Sequence, residues 1–373
     1  MEFKFPGRMR IVLYMAAYIL DIAALFYLLW LLYSNTALNI QRKKPLFIGI
    51  ILTVVIILSE AGTVLAGNGF LRHRTVNIMC NVIGFAFSPV IPIIITLIFD
   101  RRILTTRRFL LFPTFINIFA AALSPFYGLI FYVDAYNHYM RGHYFFIFVA
   151  VYIINFLILF ISTLEIGRKY NYPIMNKLIV LALFTILGTS IQLIYPLVYV
   201  SWHCVTLSML LYFFLMSEFD SSFDTLTGMY NRTAFEKAAR HASESKPFTV
   251  IALDIDDFKV INDTYGHDFG DTIIKAVAAI VQKSFDKQFI CYRFGGDEFV
   301  IISNETNKEK IDSQIKTMIR NLEEERKKGN PIPTVSYGYS IYNGKEKLDF
   351  QKILREADDQ MYYYKKAYKS EKT

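Results

Sequence analysis

Seven stretches of this chain are long and apolar enough to fill a bilayer core, and they dictate what its first 217 residues can become. A helix needs about 20 apolar residues to cross, because inside hydrocarbon every backbone polar group must find its partner within the segment. The stretches fall at Ile11–Tyr33, Leu46–Leu65, Val76–Phe99, Phe109–Phe131, Tyr144–Leu164, Leu178–Tyr195 and Val198–Met216. The last two are separated only by a tight turn around Pro196. The first is too long for a signal-peptide core and lacks a small-residue cleavage site, so it reads as a true span. Ser88-Pro89, Pro92 and Ser124-Pro125 are expected to kink their helices.

Charge divides the chain at the same place. Residues 1–217 hold 16 Lys and Arg against 6 Asp and Glu, whereas residues 218–373 hold 24 against 26. The net charge of +8 therefore comes from basic loops between spans. It is not the basic face of a nucleic-acid binder, and no nucleic-acid partner is expected. The loops with Arg42, Lys43, Lys44, Arg101, Arg102, Arg107, Arg108, Arg168, Lys169 and Lys177 are richer than those with Lys4, Arg8, Arg10, Arg72, Arg74 and Arg141. The positive-inside rule puts the first set in the cytoplasm, together with everything from residue 218 onward. No outer loop has room for a soluble sensor domain. Cys80, Cys204 and Cys291 read as reduced packing residues.

Asp21 and Glu60 lie within spans, where an ionised group costs several kcal/mol unless paired or wetted. Either they belong to a ligand or ion pocket, which Trp202 and His203 would help to line, or they are protonated and hydrogen-bonded between helices. Any ligand of this region is unknown. Ser217 to Phe223 joins the halves without a flexible Gly/Ser or Pro-rich stretch. Such a junction would pass a movement of the last span to the second half, or would serve as a plain tether. The expected division is residues 1–217 as the membrane region, 218–223 as the junction and 224–373 as a cytoplasmic domain.

The second half alternates helices and strands. Helices are expected from Thr233 to about Glu244, Thr272 to Lys283, Lys308 to Lys327 and Phe350 to Lys369, with a glycine-punctuated segment from Phe258 to Asp271. Phe248 to Leu253 reads as a buried strand with Asp254, Asp256 and Asp257 at its exit, and Thr334 to Ile341 as another. Phe289 to Ser303 reads as a β-hairpin whose Gly295-Gly296 pair supplies positive φ and carries Asp297 and Glu298 forward. Helices on a mainly antiparallel sheet make this half α+β. If the two strands are neighbours, Asp254 and Asp297 converge into a site for Mg²⁺ bridging substrate phosphates. The alternative is two unrelated acidic turns.

Five motifs now occur in order: Asp224-x-Leu-Thr-Gly-x-x-Asn-Arg232, Asp254-x-Asp-x-Phe-Lys-x-x-Asn-Asp263, Gly266-His-Asp-x-Gly-Asp271, Gly295-Gly-Asp-Glu-Phe299 and Ala357-Asp-x-x-Met-Tyr-x-x-Lys365. Together they resemble the GGDEF-domain diguanylate cyclases over about residues 220–370. The membrane half resembles only a loose class of sensor modules.

The resemblance implies a ferredoxin- or palm-like domain that condenses two GTP into cyclic di-GMP with release of two pyrophosphates. It further implies a homodimer working with Mg²⁺ or Mn²⁺ on the cytoplasmic face of a bacterial inner membrane, in contact with lipid. Carried onto this chain, Asp254, Asp297 and the Ile255 carbonyl hold the metal. Glu298 activates the ribose 3′-hydroxyl, directly or through the metal, and Lys259 stabilises charge on the phosphates. Asn262 and Asp271 hydrogen-bond guanine, with His267 beside them. Lys365 and Lys369 grip the triphosphate, and the backbone near Phe258 approaches it closely.

The bland rivals are turn and helix-capping roles for Asn262 and Asp271, a brace for His267, and a solvated helix face for Lys365 and Lys369. Two departures matter. Lys369 stands where the family carries a forked arginine. Asp286 and Phe289 occupy the positions of an Arg-x-x-Asp product-inhibition site, so no feedback through it is expected. Other function classes are a silent domain that binds GTP or product, and a receptor or transporter in the membrane half. Sparse intramembrane charge and the lack of inverted halves count against transport.

Overall fold

The computed structural model describes residues 7–36, 38–67, 73–170, 174–195, 200–242, 246–344 and 349–371. They fall into two compact units, Met1–Asp220 and Ser221–Thr373.

The first unit is helical: α1 (Gly7–Ser34), α2 (Ile40–Gly67), α3 (Arg74–Phe87), α4 (Val90–Phe99), the short α5 (Arg102–Thr105), α6 (Phe112–Tyr127), α7 (Phe145–Tyr170), α8 (Ile174–Ile194) and α9 (Ser201–Asp220). Among the described residues, six helical stretches are long and apolar enough to cross a membrane, and a shorter apolar stretch, Lys177–Ile191, lies in α8. Large apolar side chains such as Leu20, Trp30 and Phe119 stay exposed on the helix faces, as lipid-facing residues do. The interior is tight: a Cβ at Gly188 would come within 2.4 Å of Cys204 Sγ, and one at Gly62 within 2.5 Å of Cys80 Sγ. Small residues at helix contacts let backbones approach, and the three cysteines are free packing groups, as expected.

The span expected at 76–99 is present as one apolar stretch, Arg74–Ile98, and its helix is interrupted between α3 and α4 at the expected Ser88-Pro89 kink, where Pro89 has no N–H to donate. Asn155 Nδ2 donates to the Pro89 carbonyl at 2.6 Å and to Thr114 Oγ1 at 2.9 Å, so a polar side chain is satisfied at the break. The span expected at 109–131 stops at Tyr127, where Gly128 takes the left-handed conformation (φ 61°) that ends a helix. The chain then forms an unexpected hairpin of β1 (Phe131–Val133) and β2 (Tyr139–Arg141). Its tight loop is organised by Asp134, whose carboxylate accepts from the N–H groups of Tyr136 and His138. The turn expected at Pro196 lies outside the described residues.

The second unit contains α10 (Arg232–Arg240), β3 (Phe248–Ile255), α11 (Phe258–Tyr265), α12 (His267–Ser284), β4 (Phe289–Arg293), β5 (Glu298–Ser303), α13 (Lys308–Lys327), β6 (Val335–Tyr342) and α14 (Phe350–Glu371). The four strands form one antiparallel sheet in the order β4-β5-β3-β6. The two-residue period of β3 sends Ile251, Leu253 and Ile255 into a core with residues of α12 and α13, and Phe248, Val250 and Ala252 into a second core with residues of α10 and α14. The fold is α+β with helices on both faces of the sheet. A Cβ at Gly338 would meet the Ala357 carbonyl and the Met361 nitrogen at 2.3 Å, so only glycine lets α14 lie this close to β6. α10 ends at Arg240, short of the expected Glu244, which lies outside the described residues.

Candidate active site

The alternation that builds the two cores also aims the acids. Two residues beyond Ala252, Asp254 falls on the α14 face of the sheet, where it is directly opposite Glu298 in the β3–β5 register. Glu298 shares that face because Val300, two residues on, packs into the same core. Asp297 precedes it, and its carbonyl accepts the Ile255 N–H at 3.2 Å. The strand exit and the hairpin therefore meet side by side. Lys365 of α14 donates to Asp254 Oδ1.

Electrostatics records the crowding. Burial pushes the Asp254 carboxyl above the ordinary range, with Asp297 and Asp256 adding to the rise and Lys365 opposing it. Burial likewise raises Glu298, reinforced by Asp254 and Asp297 and opposed by Lys365 and Arg232. Asp358 is raised by burial, then by Glu298 and Asp359. Buried Asp256 accepts from Ser336 Oγ at 2.7 Å and serves as a structural member of the strand exit.

The hairpin is real, but its glycine pair does something other than expected. Neither Gly295 nor Gly296 has positive φ. A Cβ at Gly295 would lie 2.8 Å from Glu298 Oε2, so the glycine makes room for that carboxylate. The loop is held by Arg293, which donates to the Gly296 carbonyl at 2.8 Å and to Asp224 at 3.1 Å. Burial alone would raise Asp224, but hydrogen bonds from Thr227 and Arg293 outweigh it and hold the carboxyl below its usual range. Arg293, Asp224, Arg232 and Asp358 were not singled out from sequence as site residues. Asp224, Arg232 and Asp358 sit inside recognised motifs, which was the available signal.

A second group is built by α11 and α12. Asp257, with φ 55°, starts α11 from a left-handed position, and Gly266, with φ 85°, separates the two helices. Phe258 is buried, and Lys259 is exposed on the next position of α11. Asn262 packs against Gly270: a Cβ there would stand 1.9 Å from Asn262 Oδ1. That buried oxygen has no hydrogen-bond partner in the structure, an arrangement that a donor on a ligand would relieve. His267 and Asp271 lie one turn apart and exposed at the start of α12. The structure brings Asp254, Ile255, Asp297, Glu298 and Lys365 together, and Phe258, Asn262 and Asp271 onto the α11–α12 pair. Lys369 falls in α14, but its side chain lies outside the described residues.

Among the described residues no three His, Cys, Asp or Glu side chains form a metal cage. The available donors are two carboxylates and main-chain carbonyls, all oxygen. That set fits Mg²⁺, which keeps several waters and commonly binds one or two carboxylates plus substrate phosphates.

The family described as "Diguanylate cyclase, GGDEF domain" matches residues 221–371. Over 150 residues the chain is 31% identical to "Diguanylate cyclase VdcA" of Vibrio cholerae, covering 38% of this chain and 44% of that protein. Over 160 residues it is 29% identical to "Diguanylate cyclase DosC" of Escherichia coli, covering 40% and 34%. The chain thus spans less than half the length of these relatives. Among solved structures, the GGDEF domain of DgcB from Caulobacter crescentus, crystallised with c-di-GMP, is similar at 26% identity and a TM-score of 0.35, covering 39% of this chain and 89% of that one.

Proposed function

Residues 221–371 are a GGDEF domain, and from that premise we propose that the protein is a membrane-anchored diguanylate cyclase. It joins two GTP into cyclic di-GMP and releases two pyrophosphates, working as a homodimer with the domain in the cytoplasm. We place the membrane region at residues 1–217, the junction at 218–223 and the cyclase at 224–373. The observation that carries the reading is the convergence of Asp254, Asp297, Glu298 and Lys365 at one end of the sheet.

Asp254, Asp297 and the Ile255 carbonyl would hold Mg²⁺ or Mn²⁺, which supplies charge neutralisation to the phosphates when bound. Glu298, whose raised carboxyl is better matched to neutral pH than an ordinary glutamate, takes the proton of the ribose 3′-hydroxyl. The freed oxygen attacks the α-phosphorus of the other GTP, the bond to pyrophosphate breaks, and the second ester forms in the same way. Lys259 and Lys365 carry positive charge to the phosphates. For Lys365 this requires leaving Asp254, so its present ion pair is a holding position. Asn262 and Asp271 offer an acceptor and donor, and a second acceptor, to the guanine edge, with His267 beside them. Phe258 lies at the phosphate end of α11, and Lys369 adds charge along α14. No feedback is expected at Asp286 and Phe289: Phe289 is buried in the core, and Asp286 is an acid beside Lys310.

Purified protein incubated with GTP and Mg²⁺ should yield cyclic di-GMP, identified by mass, and Glu298→Gln should not. GTP binding without product in the unaltered protein would replace this reading with that of a silent binding domain.

A further inference from the structure

The first unit has a cavity of about 500 Å³ bordered by α2, α3, α7, the β1–β2 hairpin and the start of α9. That size lies within the range of small-molecule sites, about 300–1,000 Å³. Of the intramembrane groups singled out from sequence, Glu60 and Trp202 line it. Asp21 and His203 bond to each other instead, and neither lines it. One part of the wall is aromatic. The Phe85 ring stacks 5.8 Å from Tyr139 and meets Phe148 edge-on at 5.0 Å, and Phe148 stacks 5.7 Å from Tyr152. Gly84, also on the lining, leaves space beside them: an added Cβ would meet nothing within 4 Å.

Another part is a relay of three amides with a fixed direction. Asn137 Nδ2 donates to the Ala66 carbonyl at 2.7 Å, so Asn137 Oδ1 is an acceptor. Asn77 Nδ2 donates to that oxygen at 2.9 Å, which makes Asn77 Oδ1 an acceptor in turn. Asn81 Nδ2 then donates to Asn77 Oδ1 and to the Asn77 carbonyl, both at 2.8 Å. These bonds hold Asn137 at φ 68°, a strained backbone for a residue other than glycine. The relay ends on Asn81 Oδ1, which accepts no hydrogen bond among the described residues. Asn81 is only 7% exposed and lies on the cavity wall. The neighbouring hydroxyls do not answer it: Thr63 donates to the Glu60 carbonyl at 2.7 Å and Ser88 to the Gly84 carbonyl at 2.6 Å. An acceptor this shielded is costly to leave unmet, and a donor placed in the cavity can reach it.

We infer that this cavity binds a neutral planar aromatic molecule carrying an N–H or O–H donor, of the indole or phenol type. The donor meets Asn81 Oδ1. The ring packs against Phe85, Phe148 and Trp202, where offset and edge-to-face contacts add to apolar burial. A neutral amide oxygen receives such a donor without any charge leaving water, whereas a charged ligand would have to be desolvated. The site lies wholly within residues 56–202 and does not depend on the cyclase reading.

Equilibrium dialysis of the full-length protein in lipid nanodiscs against indole, with uptake by empty nanodiscs of the same lipid subtracted, measures the binding. We expect saturable uptake. 1-Methylindole, which lacks the N–H, should bind at least about fivefold more weakly, the scale of one hydrogen bond. Cationic tryptamine and anionic indole-3-acetate should be weaker by at least about as much. Asn81→Leu should erase the preference for indole over 1-methylindole, and Gly84→Leu, which fills the cavity, should abolish saturable uptake. The inference is overturned by no saturable uptake at millimolar indole, by equal binding of 1-methylindole, or by tighter binding of either charged compound. It is equally overturned if Asn81→Leu keeps the preference or Gly84→Leu keeps the uptake. If a variant does not fold, the comparison of the four compounds on the unaltered protein decides by itself. Because the readout is binding, failure here leaves the cyclase assay untouched, and failure there leaves this one untouched.

Discussion

Asp254 and Glu298 are carboxylates held above their ordinary range by burial and by neighbouring acids, Asp297 and Asp256 for the first and Asp254 and Asp297 for the second, and this sets opposite pH trends for stability and activity. In the interval just above the usual carboxylate range the folded unit binds more protons than the unfolded chain. The stability of metal-free protein should therefore fall as pH rises through it. Activity should rise over the same interval, because a metal-holding and proton-accepting carboxylate must be ionised. Melting curves and turnover measured across one pH series check both signs. Asp297→Asn removes a like-charge neighbour of both groups. It should abolish turnover while raising metal-free stability by about 0.5 kcal/mol, the scale of a solvent-screened repulsion.

Gly270→Ala tests the other half of the site. Its methyl group would displace the Asn262 amide, so the KM for GTP should rise about tenfold or more, the scale of a lost base-recognition contact. The residue types at these positions were legible in the motifs. The empty valence of Asn262 Oδ1 was not, because it depends on which groups of other residues reach it.

At the scale of elements, the acidic hairpin depends on its anchor. Arg293 joins the loop carbonyl of Gly296 to Asp224, and both partners of the ion pair are largely shielded from solvent. A double-mutant cycle of Arg293→Ala and Asp224→Asn should give a coupling of about 1–2 kcal/mol in denaturant unfolding, and either variant should lose most turnover. The hairpin itself was readable from two apolar runs around a glycine pair. The physical reason differs from the expected one, since neither glycine takes positive φ and Gly295 provides room for Glu298. α13 matched its expected bounds, because Asn307 caps it and its apolar residues repeat at helical spacing. α11 was missed. It begins at a left-handed Asp257 that makes no side-chain cap, so the usual start signal is lacking. The β1–β2 hairpin was missed because three-residue strands leave no periodicity to read.

At the scale of the whole molecule, α9 runs through Ser217 to Asp220, so the first residues after the last apolar span are helical. If movement of that span controls the cyclase, inserting a long Gly/Ser linker between Asp220 and Ser221 should leave basal turnover intact and abolish its response to the membrane region. Product formation in bilayers of different thickness, which shift the last span, measures this. An unchanged response would make the segment a plain tether.

Division of the chain into an apolar helical part and an α+β part was decided by composition and period, because burying apolar surface and satisfying backbone groups in lipid depend on residue type alone. The order of the motifs likewise marked the domain. Tertiary structure alone decided that Lys365 rests on Asp254, that Arg293 closes the acidic loop, and that Glu60 faces a cavity while Asp21 meets His203. Each of these joins residues at least 69 positions apart or a space bordered by several elements. No local pattern encodes such pairings; they follow from how the helices and strands pack.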